Sequence, residues 1–318
     1  MNGFQSAMHP AGVQASELHH LWNIFLCVSI VVYGITLAAV LIAVRRSHRR
    51  TEPLADAPSE RRATIAVAIG AGMTFVTVLA LLVASVATGR TVGTLGRLGT
   101  AHLEIDVTGH QWWWEVTYPN SEPDKSIRTA NEIHIPVGKP VELRLATRDV
   151  IHSLWIPNLH GKRDLIPGRV NKFWIEADRP GVYRGQCAEF CGLQHANMAL
   201  TVIAESQDAY DRWLEHQRTA APEPVTDAQR RGRQAFLSLP CVNCHAITGI
   251  DAYATAGPDL THIASRSTLA AGTLINNKGS LSGWVVNPQA LKPGSNMPAN
   301  EMTPQQLNDL VAYLESLQ

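Results

Sequence analysis

Two long apolar runs open the chain. Leu21–Val44 runs for 24 residues without a charge, and Ala63–Gly89 does so for 27. Each can cross a bilayer core of about 30 Å as a helix. The stretch between them carries Arg45, Arg46, Arg49, Arg50, Arg61 and Arg62, whereas the segment just after the second run has only Arg90 and Arg97. Lys and Arg collect on the cytoplasmic side of spans. The pattern therefore predicts a cytoplasmic loop, with both termini and everything after about residue 90 outside. A cleaved signal peptide would carry positive charge ahead of its apolar run. Residues 1–20 contain no Lys or Arg, and the basic cluster follows the run instead.

From His102 the period changes to two. Leu103, Ile105 and Val107 alternate with polar residues, as do Ile133, Ile135 and Val137, then Val141, Leu143 and Leu145. Pro–Gly punctuation at Pro136–Gly138, Pro167–Gly168 and Pro180–Gly181 marks turns between short strands. That spacing predicts a small antiparallel sandwich or barrel. Ser206–Gln217 reads as a closing helix and Thr219–Val225 as an Ala/Pro linker with little that could pack. Asp227–Leu239 begins a second helical region. A last helix starts at Thr303 as N-cap, with Pro304 at its first position and Gln306 completing a capping box. Leu310 and Tyr313 share its inner face, and Gly232 on the earlier helix permits a close crossing beside Phe236. The chain thus reads as multidomain: an outer segment 1–20, a two-helix transmembrane hairpin 21–89, an all-β sandwich 90–218, a linker 219–225 and an all-α domain 226–318.

Charge changes little in this picture. With 27 basic and 27 acidic residues in 318, and no basic run interleaved with aromatics, nothing asks for nucleic acid. The five cysteines say more. Cys27 lies in the first apolar run and reads as a small buried hydrophobe. The other four form two close pairs, each with a histidine just downstream, which is cofactor spacing rather than a disulfide framework.

The first pair lies in CAEFCGLQHANM. Cys187, Cys191, His195 and Met198 place two thiolates, an imidazole and a thioether within twelve residues. Soft sulfur with imidazole selects copper, zinc or iron–sulfur, and a weak Met beside His and Cys is the pattern of copper electron-transfer sites. Two cysteines where a mononuclear blue site needs one suggest two coppers bridged by two thiolates. That arrangement needs a second histidine, and His152, just past the strand at Val141–Arg148, is the candidate. A structural zinc or a plain disulfide remains open from these residues alone. The second pair, Cys241-Val-Asn-Cys244-His245, is the c-type haem attachment signature: two thiols add to the haem vinyls and the histidine ligates iron. A redox dithiol is the bland alternative. The second axial ligand is usually Met or His. Met297, in the loop KPGSNMP, presents a thioether rigidly; Met302 competes from nearer the last helix.

With these motifs in place, the chain resembles subunit II of haem–copper cytochrome c oxidases, in the caa3-type form with a fused C-terminal cytochrome c. GHQWWW at 109–114, VIHSLW at 150–155, GKRDLIPGR at 161–169 and GQCAEFCG at 185–192 carry the resemblance. It implies a cupredoxin-like sandwich followed by a class I cytochrome c domain. It also implies that Cys187 and Cys191 bridge a copper A pair, with His152 and His195 binding one copper each. Met198 and the Glu189 carbonyl would be the weak ligands. The Glu189 side chain would help hold a magnesium ion shared with subunit I. Trp112 matches an electron-accepting aromatic at the surface, Trp113 and Trp114 would alternate outward and inward, and Asp164 matches an acid near the cytochrome-docking face. Cys241 and Cys244 would carry haem c, with His245 and Met297 as axial ligands and GPDL at 257–260 orienting the histidine through a proline carbonyl. One departure stands out: Arg61, Arg62 and Ala63 occupy the place where many relatives carry a glutamate at the start of the second span, and Glu60 lies early for that role.

The function implied is electron transfer from haem c to copper A and on to subunit I, where oxygen becomes water with proton translocation. Expected partners are subunit I, subunit III, a cytochrome c or other donor, and membrane lipid. The expected location is a bacterial plasma membrane, with both ends on the periplasmic face. The copper-bearing subunit of a nitric oxide reductase, or a membrane-tethered carrier working alone, would share the same electron path.

Overall fold

The computed structural model describes residues 4–47, 57–95, 103–122 and 125–318. Arg49, Arg50, Arg97 and His102, used in the sequence argument, lie outside the described residues. The chain forms two compact units, Met1–Ala15 with Leu98–Gln318, and Ser16–Arg97.

The second unit consists of the apolar runs. Helix α1 spans Val13–Ser47 and α2 spans Ala57–Leu95, and both are long and apolar enough to cross a membrane. Ile30, Val67 and Phe75 are each more than half exposed, as suits side chains meant for lipid or partner helices. Cys27, expected to be buried, is exposed for the same reason: it points outward from α1. Glu60 sits in the first turn of α2.

The first unit holds the sandwich. One sheet runs β3 (Ile127–Ala130), β2 (Trp113–Tyr118), β1 (Leu103–His110), β5 (Val141–Thr147) and β8 (Asn171–Ile175). The other runs β4 (Glu132–Pro136), β10 (Ala199–Glu205), β9 (Gly181–Cys187), β6 (His152–Trp155) and β7 (Arg163–Leu165). The period-two pattern maps directly onto burial: Ile105, Val107, Trp114, Val116, Leu143 and Leu145 are fully buried between the sheets, while alternate positions face out. The expectation of a purely antiparallel sandwich is corrected. β1 pairs with β5 in parallel, and β10 with β4 in parallel. Parallel pairing needs a crossover, and here the chain changes sheets between β3 and β4. Asn131 makes that corner at φ 63, a left-handed conformation that Asn tolerates. It donates its N–H to the Trp114 carbonyl and accepts the Trp114 N–H on its side chain.

Helix α3 (Gln207–Gln217) is capped by Ser206. It lays Trp213 flat on His134 of β4, at 3.9 Å between ring centres, and Ser267 caps Glu132 on the same strand, so β4 is buried along its length. Residues 4–12 and the first turn of α1 form a strap across the sandwich. The Phe4 carbonyl accepts from Arg184, Ala11 donates to the Asn158 carbonyl and accepts from Asp178, and Ala15 donates to the Leu159 carbonyl. Ala11 is fully buried there.

The C-terminal part is helical, with two very short ladders, β11–β12 (Ala246–Ile247, Ala252–Tyr253) and β13–β14 (Thr268–Leu269, Leu274–Ile275). Helix α4 (Asp227–Ser238) crosses α7 (Pro304–Leu314), with α5 (Lys278–Val286) and α6 (Pro288–Leu291) between them in sequence. The predicted box of Thr303 and Gln306 is formed. Gly232 is required at the crossing: a Cβ there would stand 2.0 Å from the Asp309 carbonyl oxygen. The linker is tied down rather than free. Ala221 donates to the Thr248 carbonyl, and Glu223 accepts from Arg233.

Candidate metal centres

The first centre grows out of the β9–β10 connection. Strand β9 ends at Cys187, whose N–H donates to the Met198 carbonyl and pinches the loop at its base. Between them the chain folds so tightly that its donor atoms converge. The Cys187 and Cys191 sulfurs stand 3.7 Å apart. His152 Nδ1 lies 3.9 Å from Cys187 Sγ, and His195 Nδ1 lies 3.6 Å from Cys191 Sγ. Met198 Sδ is 3.9 Å from Cys191 Sγ, and the Glu189 carbonyl is 3.2 Å from Cys187 Sγ. His152, Cys187 and Cys191 are buried, with donor atoms within 4.8 Å of one another.

A disulfide would need sulfurs about 2.05 Å apart, and both cysteines are free. Structural zinc is closed by four N or S ligands; here a thioether and a carbonyl join two thiols and two imidazoles, a set that suits copper. The electrostatics also fit a cation. The two thiols hydrogen-bond each other, which pulls the first ionisation, on Cys187, well down. Burial opposes charge on His152, yet its bonds to Cys187 and Asp149 outweigh that and raise its pKa.

The surroundings fix each donor. Asp149 Oδ1 holds His152 Nε2 at 2.8 Å, leaving Nδ1 for the sulfurs. Burial would raise the Asp149 pKa, but bonds from His152 and the backbone N–H groups of Gln111 and Val150 lower it below the usual carboxylate range. Trp114 meets the same imidazole edge-on at 6.0 Å. Gly109 leaves room for it: a Cβ would stand 2.8 Å from His152 Cδ2. Trp112 Nε1 and Gln111 Nε2 both donate to the Cys191 carbonyl, at 2.9 and 2.8 Å. Asp164 accepts from Ser153 across the β6–β7 pair. The Glu189 carboxylate lies 3.8 Å from Lys162 Nζ. The roles of Asp149 and Gln111 escaped the sequence reading: Gln111 lies in the GHQWWW segment without a part assigned to it, and the signal for Asp149 was an acid three residues before His152.

The second centre is a cavity of about 610 Å³, within the usual range for a cofactor site. Its wall includes Cys241, Cys244, His245 and Met297 among apolar residues such as Phe236, Leu281 and Leu310. Met302 instead packs against the neighbouring hydrophobic core. His245 Nδ1 lies 2.7 Å from the Pro258 carbonyl; a carbonyl only accepts, so Nδ1 carries the proton and Nε2 keeps its lone pair. Burial lowers the His245 pKa, which also keeps the ring neutral. Arg266, also in the wall, is 8% exposed, and its Nε has no hydrogen-bond partner among the described residues. An apolar slot with two thiols, a neutral imidazole, a thioether and an unpaired guanidinium N–H fits a haem with its acid side chains.

Trp112 is not at the surface, as the resemblance implied. It is 8% exposed and lines this cavity, because residues of the 226–318 region cover it. Trp113 and Trp114 alternate as expected, Trp113 stacking on His110 at 4.3 Å and Trp114 fully buried.

Comparison with known proteins gives the same division. The family described as cytochrome c oxidase subunit II, periplasmic domain, matches residues 121–205, and the cytochrome c family matches residues 229–318. The cytochrome c oxidase subunit 2 of Alkalihalophilus pseudofirmus is 34% identical over 322 residues, covering 98% of this chain and 90% of that one. That of Bacillus sp. (strain PS3) is 34% identical over 224 residues, covering 67% of this chain and 62% of its own. Among solved structures, the periplasmic domain of subunit II of cytochrome oxidase from Bradyrhizobium japonicum is 30% identical, with TM-score 0.36, over 38% of this chain and 96% of that one. The copper A and haem c that these two domains imply fit the two donor sets, and the spans make this a membrane protein with periplasmic domains. The chain belongs to the cytochrome c oxidase subunit II family, in the form that carries a cytochrome c domain at its C-terminus.

Proposed function

We propose that electrons come in at haem c in the 226–318 domain, pass to two coppers in the 90–218 domain and leave toward subunit I, where oxygen is reduced to water and protons are moved. In this reading Cys187 and Cys191 would be shared by the metals, His152 and His195 would hold one each, and Met198 and the Glu189 carbonyl would be the weak ligands. Cys241 and Cys244 would carry the haem covalently, and His245 and Met297 would hold its iron. Haem c and copper A supply the one-electron chemistry when bound. The Glu189 carboxylate is offered to magnesium at the border with subunit I, beside subunit III, in a bacterial plasma membrane. Residues 21–89 form the hairpin and residues 219–225 join the two domains.

One observation carries this reading: Trp112 lines the haem cavity and at the same time donates its indole N–H to the Cys191 carbonyl. A single side chain therefore spans the wall of one centre and the loop of the other. The protein's own part is to keep reorganisation small. Asp149 locks the His152 tautomer, Pro258 locks that of His245, and such outer bonds tune metal sites strongly. Met198 is fully buried and both cysteines are nearly so, which excludes water from the sulfurs.

The test is an optical and EPR spectrum of the chain matured in a host that attaches haem c and loads copper. The expected result is a covalent haem band together with a mixed-valence two-copper signal. A haem band with zinc or no metal at Cys187 and Cys191 overturns the relay.

A further inference from the structure

Lys292 is a lysine in a surface-type sequence, KPGSNMP, yet it is 2% exposed. Its ammonium has three donors and no acceptor, and all three are used. Nζ lies 2.8 Å from the Trp112 carbonyl, 2.7 Å from the Asn197 carbonyl and 2.9 Å from the Ala270 carbonyl. These acceptors come from three places. Trp112 is the aromatic that contacts Cys191; Asn197 lies in the 3-10 turn (His195–Asn197) between His195 and Met198; Ala270 belongs to the haem-bearing half, as does Lys292 itself.

A buried charge is costly unless fully hydrogen-bonded, so this ammonium stays in place only while the two halves are together. Trp112 is then held from both ends, its indole N–H by the copper loop and its carbonyl by Lys292. Both residues line the haem cavity. Neighbouring bonds reinforce the seam: Ala199 donates to the Ala271 carbonyl at 3.0 Å, and Gln194 to the Pro293 carbonyl at 2.8 Å.

We propose that Lys292 is a positioning residue for the internal electron transfer: it latches the cytochrome domain onto Trp112 and the copper loop and sets the distance between the two centres. The inference rests on the relay proposed above. It makes the fused cytochrome a docked donor instead of a swinging arm. Lys292 touches no reacting atom; it acts through Trp112 and Asn197.

The experiment compares the assembled oxidase carrying the wild-type chain with one carrying Lys292→Met, which keeps the length and removes the donors. Both spectra are recorded first. If wild type lacks either centre, the relay itself fails. With both centres loaded, electron equilibration between haem and copper is followed after flash reduction, at several viscosities. The expected result for Lys292→Met is unchanged spectra, transfer at least about tenfold slower and a new dependence on viscosity. Backbone hydrogen exchange at residues 195–199 and 270–272 should quicken by about tenfold or more. A role confined to stability would lower the melting temperature without making transfer viscosity-dependent below it. Unchanged transfer and exchange with intact spectra overturn the latch. If Lys292→Met loads neither group, Lys292→Leu, which also lacks donors but is smaller, is read in the same way.

Discussion

The copper loop and the haem cavity solve the same problem, holding a metal still during electron transfer, from opposite starting points. At the copper loop the donor atoms already touch: six of them converge within hydrogen-bond reach, above a fully packed β-sandwich. In the C-terminal region Cys241, Cys244, His245 and Met297 instead line a cavity, and the helical core packs on one side of it. The first site is closed by the loop's own contacts; the second is a cavity that a group of matching size would fill. Stability and site geometry should therefore separate in the sandwich and merge in the haem domain.

The sharpest way to break that contrast is to withhold each group in turn. An empty void of about 610 Å³, at about 24 cal/mol per Å³, would cost on the order of 10 kcal/mol, comparable to the whole stability of a domain. Without haem, the 226–318 region should lose its cooperative transition in calorimetry; without copper, the sandwich should keep one at a lower midpoint. A sharp apo transition for the haem region sinks the contrast. Next in size is Gly232→Val, which drives a side chain into the Asp309 carbonyl at the α4–α7 crossing. It should destabilise the haem region by about 3 kcal/mol and leave the copper EPR signal unchanged. Gly109→Ala, pressing on His152, should do the reverse: a visible change in the copper signal with little change in midpoint.

Asp149→Asn removes the carboxylate behind His152 and should weaken copper binding by about 10–100-fold, measured by competition with a chelator, with the fold intact. The smallest effect is that of pH on His160. Burial holds its pKa down at about 4, where it sits edge-on to Phe173 at 4.9 Å. The folded form is thus the weaker proton binder. Stability should fall as pH drops from 6.5 toward 4, as the unfolded chain takes up the proton first, and nothing further is gained above 6.5. Urea melts of wild type against His160→Gln should differ in slope only in that window, by about 1–2 kcal/mol in total once partial exposure is allowed for.

The same contrast explains what could be read from the chain. Cys187, Cys191, His195 and Met198 lie in one loop, and Cys241, Cys244 and His245 in one turn, so local spacing was enough to mark both as cofactor-type clusters, while zinc, disulfide and dithiol stayed open until the wider resemblance was weighed. Alternating apolar positions gave the strands and capping residues gave α7, since both are local effects. His152 lies 35 residues from Cys187, so spacing alone could not join them; it entered through the need for a second histidine and its place just after a strand. Lys292 was invisible: its partner Trp112 is 180 residues away, and a lysine beside Pro and Gly reads as a solvated loop. The burial of Trp112 and the parallel pairings escaped for the same reason, being properties of how distant segments meet. The linker's composition showed no packing signal, yet its backbone and charges found partners in the haem domain.

The strap of residues 4–15 bears on how the molecule is made. Its bonds to Asn158, Asp178 and Arg184 close the intervening chain, with both spans inside it, into a loop whose ends meet on one side. Such a loop can close only if the polypeptide crosses the bilayer an even number of times. A nascent chain in which one span fails to insert strands the strap and the sandwich in different compartments. It then leaves the Phe4 and Ala11 bonds unmade. Closure of the strap is thus a local contact that records a global property of the chain, the parity of its membrane crossings.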